Sequence, residues 1–246
     1  MIVELLFKCR HVDSLVIPAG RKIHSGESFK LFDADYSDEE ETITQKARKE
    51  EEIIKWLFNS EGKQLLLDEL GVEPNSFISF SVTRPVIENT QTKPGDIDIL
   101  ICDGRRPEHS IAFQVKVVSV IAHNQTEDDT NKIQDIKDAV LQVNKQRDNL
   151  GFYKNYLVII IKAYGRNRTQ NNVLMRNPSP ETFRRIYSFP QRESLHPDVG
   201  IIFIEINQPT GKSFNEMVKV CVCVDRPASI LNQPDRLTNR IKEYMR

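Results

Sequence analysis

The chain has 246 residues and a mass of 28.4 kDa, is 39% hydrophobic and 28% charged, and carries a formal net charge of −1. That balance supports a core of ordinary size and excludes a fibrous, collagen-like or wholly disordered chain. No apolar run reaches the roughly 18 residues that a membrane-spanning helix needs, and the opening MIVELLFKCRHVD lacks the basic stretch, long apolar run and small-residue cleavage site of a secretory signal, so a cytoplasmic location is expected.

Residues 1 to 34 alternate weakly and predict one or two strands, with a turn near Pro18-Ala19-Gly20. The acidic stretch DYSDEEE, 35 to 41, predicts a loop leading into a helix. From Thr42 to Leu70 the pattern is helical: Ala47, Ile53, Ile54, Leu57 and Phe58 recur at three- and four-residue spacing. Asn59-Ser60-Glu61-Gly62 breaks that run into two helices, and Gly71 is a suitable C-terminal stop. Three β-rich runs follow, Phe77 to Thr83, Asp96 to Cys102 and Ser110 to Val120. HNQTEDDTN, 123 to 131, reads as an exposed loop. Asn131 to Asn149 reads as a helix with Ile133, Ile136, Val140 and Val143 on one side. Tyr156 to Lys162 is a continuous apolar run, the type buried on both faces of a sheet. Residues 164 to 197, rich in Arg, Asn, Pro and Ser, read as irregular. Two more strands, Val199 to Ile206 and Met217 to Val224, precede a final helix from Pro234 to Arg246.

This order predicts an α/β (α+β) chain with one mixed central sheet flanked by helices. There is no clear linker, so a single domain over 1–246 is expected, with its core at roughly 42–162. Four scattered cysteines make no disulfide framework and fit buried thiols in a reducing compartment. Cys221 and Cys223 would share one face of a strand as small buried groups, and no second pair stands at zinc-site spacing. No phosphate-binding glycine–lysine loop, dinucleotide fingerprint or serine-nucleophile elbow is present.

The chemistry gathers in PGDIDILICDGRRPEHSIAFQVKVV, residues 94 to 118. Side chains alternate faces along a strand. Asp96, Asp98 and Leu100 therefore share one face of the first strand, and Ala112, Gln114, Lys116 and Val118 share one face of the second. A hairpin symmetric about Arg106 sets Asp98 opposite Gln114 and Asp96 opposite Lys116, with Cβ atoms about 4.5–5.5 Å apart. Two carboxylates, an amide and an ammonium then converge. A hard cation such as Mg²⁺ takes oxygen ligands, which Asp98 and the Gln114 amide oxygen supply, and a lysine beside it can position water and offset charge in the transition state. The plain alternative is a salt bridge from Asp96 or Asp98 to Lys116 on a wet hairpin face.

GDIDIL followed by FQVKV resembles the core signature of the PD-(D/E)xK nuclease superfamily, the restriction-endonuclease-like fold. The resemblance spans roughly residues 45 to 162 and implies a Mg²⁺- or Mn²⁺-dependent endonuclease acting on nucleic acid, DNA before RNA, in a restriction, defence or phage setting. It makes Asp98 a metal ligand, Lys116 the catalytic lysine and Asp96 a further ligand, and it calls for a glutamate from a preceding helix. Glu50 lies on the apolar side of the first helix and is the first candidate; Glu51, one position round, is the second. The departure is Gln114, where most members carry a carboxylate. Gln-x-Lys is similar to the variant in Mrr-type restriction enzymes, and it removes one negative charge from the metal site. Gln142, on the following helix, is a candidate support for the site.

Seven basic side chains stand against one acid between residues 160 and 192. Within that segment Arg166, Asn167 and Arg168 suit phosphate and base-edge contacts. Arg105 and Arg106, at the hairpin turn, form a second candidate patch. Lacking a visible recognition domain, such a nuclease would draw specificity from loops, a homodimer or a partner protein. The rival reading is a non-catalytic nucleic-acid-binding or assembly protein on the same fold.

Overall fold

The computed structural model describes residues 13–18, 43–83, 85–87, 96–103, 106–123, 126–128, 133–164, 174–176, 178, 182–207 and 217–246. The strands are β1 (Asp13–Pro18), β2 (Phe77–Val82), β3 (Ile97–Cys102), β4 (Ser110–His123), β5 (Thr126–Asp128), β6 (Lys154–Tyr164), β7 (Gly200–Asn207) and β8 (Met217–Arg226). The helices are α1 (Ile43–Asn59), α2 (Gly62–Leu70), α3 (Ile133–Leu150), the single turn α4 (Phe189–Arg192) and α5 (Asp235–Tyr244). The strands form one mixed sheet in the order β1-β8-β7-β6-β4-β3-β2, with β5 paired to β4. This is the helix-flanked mixed sheet that the element order predicts.

The middle of the sheet is parallel: β4 pairs β6 and β6 pairs β7 in the same direction, while the outer pairings are antiparallel. A parallel pair needs a crossover, and α3 supplies it between β4 and β6. Tyr156 through Ile161 of β6 are all buried, as a strand covered on both faces requires. On one face α1 and α2 lay Ile53, Leu57, Leu66 and Leu67 against Ile99, Phe113, Val115 and Val158. On the other, Ile136, Val140 and Val143 of α3 meet Leu157, Ile159 and Ile161. Leu237 and Ile241 of α5 cover Leu100, Cys102 and Ala112. Each such side chain contributes about 1.5–3 kcal/mol by leaving water. Trp56 is one of these packing residues.

The break between α1 and α2 falls where the sequence places it: the Ser60 hydroxyl donates to the Leu57 carbonyl and accepts the Gly62 N–H. Gly71 closes α2 in the left-handed region, φ 63°, with its N–H on the Asp68 carbonyl and the Val72 N–H on the Leu67 carbonyl. Three readings change. β4 runs on to His123 and β5 pairs with its end, where an exposed loop is expected over 123–131. The ladder there recruits Thr-Glu-Asp, residues with no strand pattern of their own. Residues 182–192 form helical turns inside the stretch read as irregular. Ile186, Tyr187 and Phe189 recur at three-residue spacing or closer and bury against the α3 side of the sheet. Cys102 and Cys221 are buried thiols outside any disulfide, but Cys223 is disulfide-bonded rather than a thiol. The rest of the expected N-terminal strand region and the 35–41 loop lie outside the described residues. No helix among the described residues is long and apolar enough to cross a membrane.

Candidate functional site

β3 and β4 pair with the register expected from a hairpin centred on Arg106: Ile99 faces Phe113, Leu100 faces Ala112 and Ile101 faces Ile111. The turn tightens into one 3-10 turn at Pro107–His109, with the Arg106 N–H on the Asp103 carbonyl and the His109 N–H on the Arg106 carbonyl. The ladder stops at Ile99–Phe113, and β5 joins β4 only from Ile121. Between those points β4 has β6 on one side and no described strand on the other. N–H groups two residues apart on a strand point the same way, so the gap exposes a short row of donors.

Carboxylates fill that row. The Val115 N–H donates to Asp98 Oδ2 at 2.6 Å, and the Val117 N–H donates to Glu50 Oε1 at 2.6 Å. Asp98 arrives from β3, just past the last paired residue. Glu50 arrives from α1, whose apolar side is held on the sheet by Ile53, Ile54 and Leu57. The helix therefore fixes the height at which Glu50 meets β4. Lys116 lies between the two N–H donors in sequence, and its Nζ stands 3.6 Å from Glu50 Oε2, a loose ion pair at the rim. Gln114 is buried and donates Nε2–H to Asp98 Oδ2 at 2.5 Å.

Electrostatics mark Asp98. Its carboxyl is pushed up to about 7, first by burial, with the nearby Glu50 and Asp96 charges adding to the rise and the Val115 N–H and Lys116 opposing it. Such a group changes charge near neutrality and gains from any cation placed beside it.

Asp98, Gln114, Lys116 and Glu50 are thus brought together. The Asp96–Lys116 pairing expected from the hairpin does not form in the ladder, because the strands part before it; Lys116 has Glu50 as its carboxylate partner instead. The Asp96 side chain is exposed, and its charge reaches Asp98 while its backbone carbonyl faces α3. Glu51 pairs with Lys55 at 2.5 Å on the outer surface of α1, away from the gap. Arg106 is exposed at the hairpin turn. Arg105, Arg166, Asn167 and Arg168 lie outside the described residues.

On α3 the residue that touches the site is Gln146. Fully buried, it donates Nε2–H to Gln114 Oε1 at 3.2 Å and toward the Asp96 carbonyl at 3.4 Å. Gln142 stands one turn earlier, its Oε1 buried without a hydrogen-bond partner among the described residues. The sequence signal for Gln146 is its place four residues after Gln142, on the same strip of helix. α3 is itself anchored beside the site: Arg147 pairs with Asp198 at 2.5 Å, and Asn144 exchanges hydrogen bonds with the Ser194 carbonyl and the His196 N–H.

As a cation site the cluster offers two carboxylates, Asp98 and Glu50. No group of three or more His, Cys, Asp and Glu residues suited to a metal ion is found among the described residues. Two carboxylates still fit Mg²⁺, which keeps several waters and is commonly held by one or two carboxylates and the substrate's phosphate oxygens. Burial of the Asp98 carboxylate, with the Glu50 and Asp96 charges adding to its cost, is what a cation placed there would offset.

No protein-family model matches the chain, and no curated protein matches it. Among solved structures it is similar to SfsA of Pyrococcus furiosus in complex with Ca²⁺, at 11% identity and a TM-score of 0.33, over 74% of this chain and 64% of that one. The chain thus spans less than two thirds of that protein.

Proposed function

We propose that this chain is a metal-dependent endonuclease of the PD-(D/E)xK kind, hydrolysing phosphodiester bonds of DNA in preference to RNA. The observation that carries the reading is the meeting of Asp98, Glu50 and Lys116 on successive residues of β4, where the sheet opens. Asp98 and Glu50 would hold Mg²⁺ or Mn²⁺, with Asp96 near enough in charge to strengthen the field. A bound cation of this type polarises a phosphoryl oxygen and lowers the pKa of its water. The Val115 and Val117 N–H groups fix the two carboxylates, so little reorganisation is needed when substrate arrives. Lys116, with three N–H donors and its amine at the rim, would orient the attacking water and offset charge on the phosphoryl oxygens. Arg105, Arg106 and the Arg166–Arg168 stretch would position the phosphate backbone.

The rival, a non-catalytic nucleic-acid binder, has one observation in its favour: Gln114 gives a hydrogen bond to Asp98 where a nuclease of this kind usually has a second acid. Cleavage of supercoiled plasmid, linear duplex, single-stranded DNA and RNA with Mg²⁺ or Mn²⁺ decides between them. Metal-dependent cutting that disappears in Asp98→Ala and Lys116→Ala supports the nuclease. No cutting, together with no gain of thermal stability from either cation, would replace it with the binder.

A further inference from the structure

Gln114 meets Asp98 with the wrong end for ligation. An amide nitrogen with its N–H groups turned to the carboxylate repels a cation; only Oε1 can bind one. That Oε1 faces α3 and accepts from Gln146. Turning Gln114 over would set its Nε2 against the Gln146 Nε2, donor against donor. Gln146 carries the remedy: its own Oε1 is buried and has no partner among the described residues. If Gln146 turns as well, Oε1 receives the Gln114 N–H. The freed Gln146 Nε2 would then be a donor for a second orphan acceptor at helical spacing, the buried Oε1 of Gln142 one turn earlier.

Building on the nuclease reading above, we propose that Gln114, Gln146 and Gln142 form a three-amide relay in which Gln114 and Gln146 turn over when a divalent cation enters and Gln142 accepts, and that Gln146 is the positioning residue that presents Gln114 Oε1 to the cation. The present arrangement holds three hydrogen bonds, one of them long, and leaves two buried oxygens unpaired. The turned arrangement pairs both orphans but gives up the Gln146 bond to the Asp96 carbonyl, which Gln146 Oε1 then meets acceptor to acceptor, and sets the oxygens of Gln114 and Asp98 side by side. That approach is repulsive alone and favourable with a cation between them. The relay thus explains how an amide stands where a carboxylate is usual, and gives α3 a part in metal binding.

The test is a Mg²⁺ titration of the full chain, following the side-chain amide resonances of Gln114 and Gln146 alongside calorimetry. Both amides should move together and saturate with the binding heat. Gln146→Met should weaken Mg²⁺ binding by about tenfold, as removal of a ligand's supporting partner does. Gln146→Glu, an acceptor at both oxygens, should tighten it, and a gain owed to the relay vanishes in the Gln114→Met background, whereas a gain owed to added charge persists there and counts against it. Heat that depends on Asp98 while the Gln146 resonance stays still would overturn the relay and leave the nuclease standing. No binding at all would remove both. If Gln146→Met fails to fold, the wild-type resonances still decide.

Discussion

At the scale of single residues, Asp98 makes the protein's stability depend on pH in an unusual direction. An acid whose pKa in the fold, about 7, exceeds its ordinary 3.8 stabilises the fold only while protonated. That contribution is complete below about 4 and is lost as pH rises through 7. The melting temperature of the cation-free protein should therefore fall across that window, Asp98→Asn should flatten the fall, and Mg²⁺ should restore stability at neutral pH. A melting temperature that rises from pH 4 to 7 in wild type relative to Asp98→Asn would refute the assignment. Lys116 tests chemistry rather than folding. Its pair with Glu50 is loose and partly exposed, a kind worth little to stability. Lys116→Ala should lower the cleavage rate on the order of 10²–10³-fold with little change in melting. Asp98, Gln114 and Lys116 were legible in the sequence because strand alternation dictates a shared face. Gln146 was legible only as a neighbour of Gln142 at helical spacing; that it points inward is decided by the sheet beneath it.

At the scale of elements, the site exists because β3 and β4 separate after Ile99–Phe113 and two carboxylates take over the freed N–H donors. The apolar spacing of α1 predicts the side that carries Glu50, and it separates Glu50 from Glu51, which sits with Lys55 on the outer surface. Spacing alone left both open, since only the docking angle of the helix decides which glutamate reaches β4. β7 enters the sheet through Gly200, where a Cβ would collide with the Tyr156 ring and stand 2.7 Å from the Ala228 backbone nitrogen. The ring has no room to yield, being stacked on Phe113 at 5.7 Å. Gly200→Ala should cost roughly 1–3 kcal/mol, as overpacking does, read by urea denaturation. An unchanged midpoint would mean that the start of β7 can shift freely.

At the scale of the whole molecule, a net charge of −1 makes general attraction to nucleic acid weak, so on the proposed nuclease reading the basic excess of residues 160–192 would supply it locally. Replacing Arg166 and Arg168 with alanine should weaken DNA binding at every sequence tested. It should also make the slope of log affinity against log salt shallower by about two, near 0.9 for each phosphate no longer neutralised. Fluorescence anisotropy across a salt series measures this. An unchanged slope would move the phosphate-binding role elsewhere, with Arg105 and Arg106 the next positions to test.

Local chemistry and period were enough to specify the helix pair broken at Ser60–Gly62, the doubly buried strand β6, the register of the β3–β4 hairpin and the candidates on it. Each follows from a spacing of two or of three to four, or from a turn residue, within a few residues of chain. Everything that depends on partners far away in sequence had to wait for the packed fold. Packing recruited Thr126–Asp128 as a strand and wound 182–192 into helical turns around buried Tyr187 and Phe189. It also chose Glu50 over Glu51 and brought Gln146 beneath Gln114. Those outcomes depend on which backbone donors the sheet leaves open and which side chains its helices can bring to them.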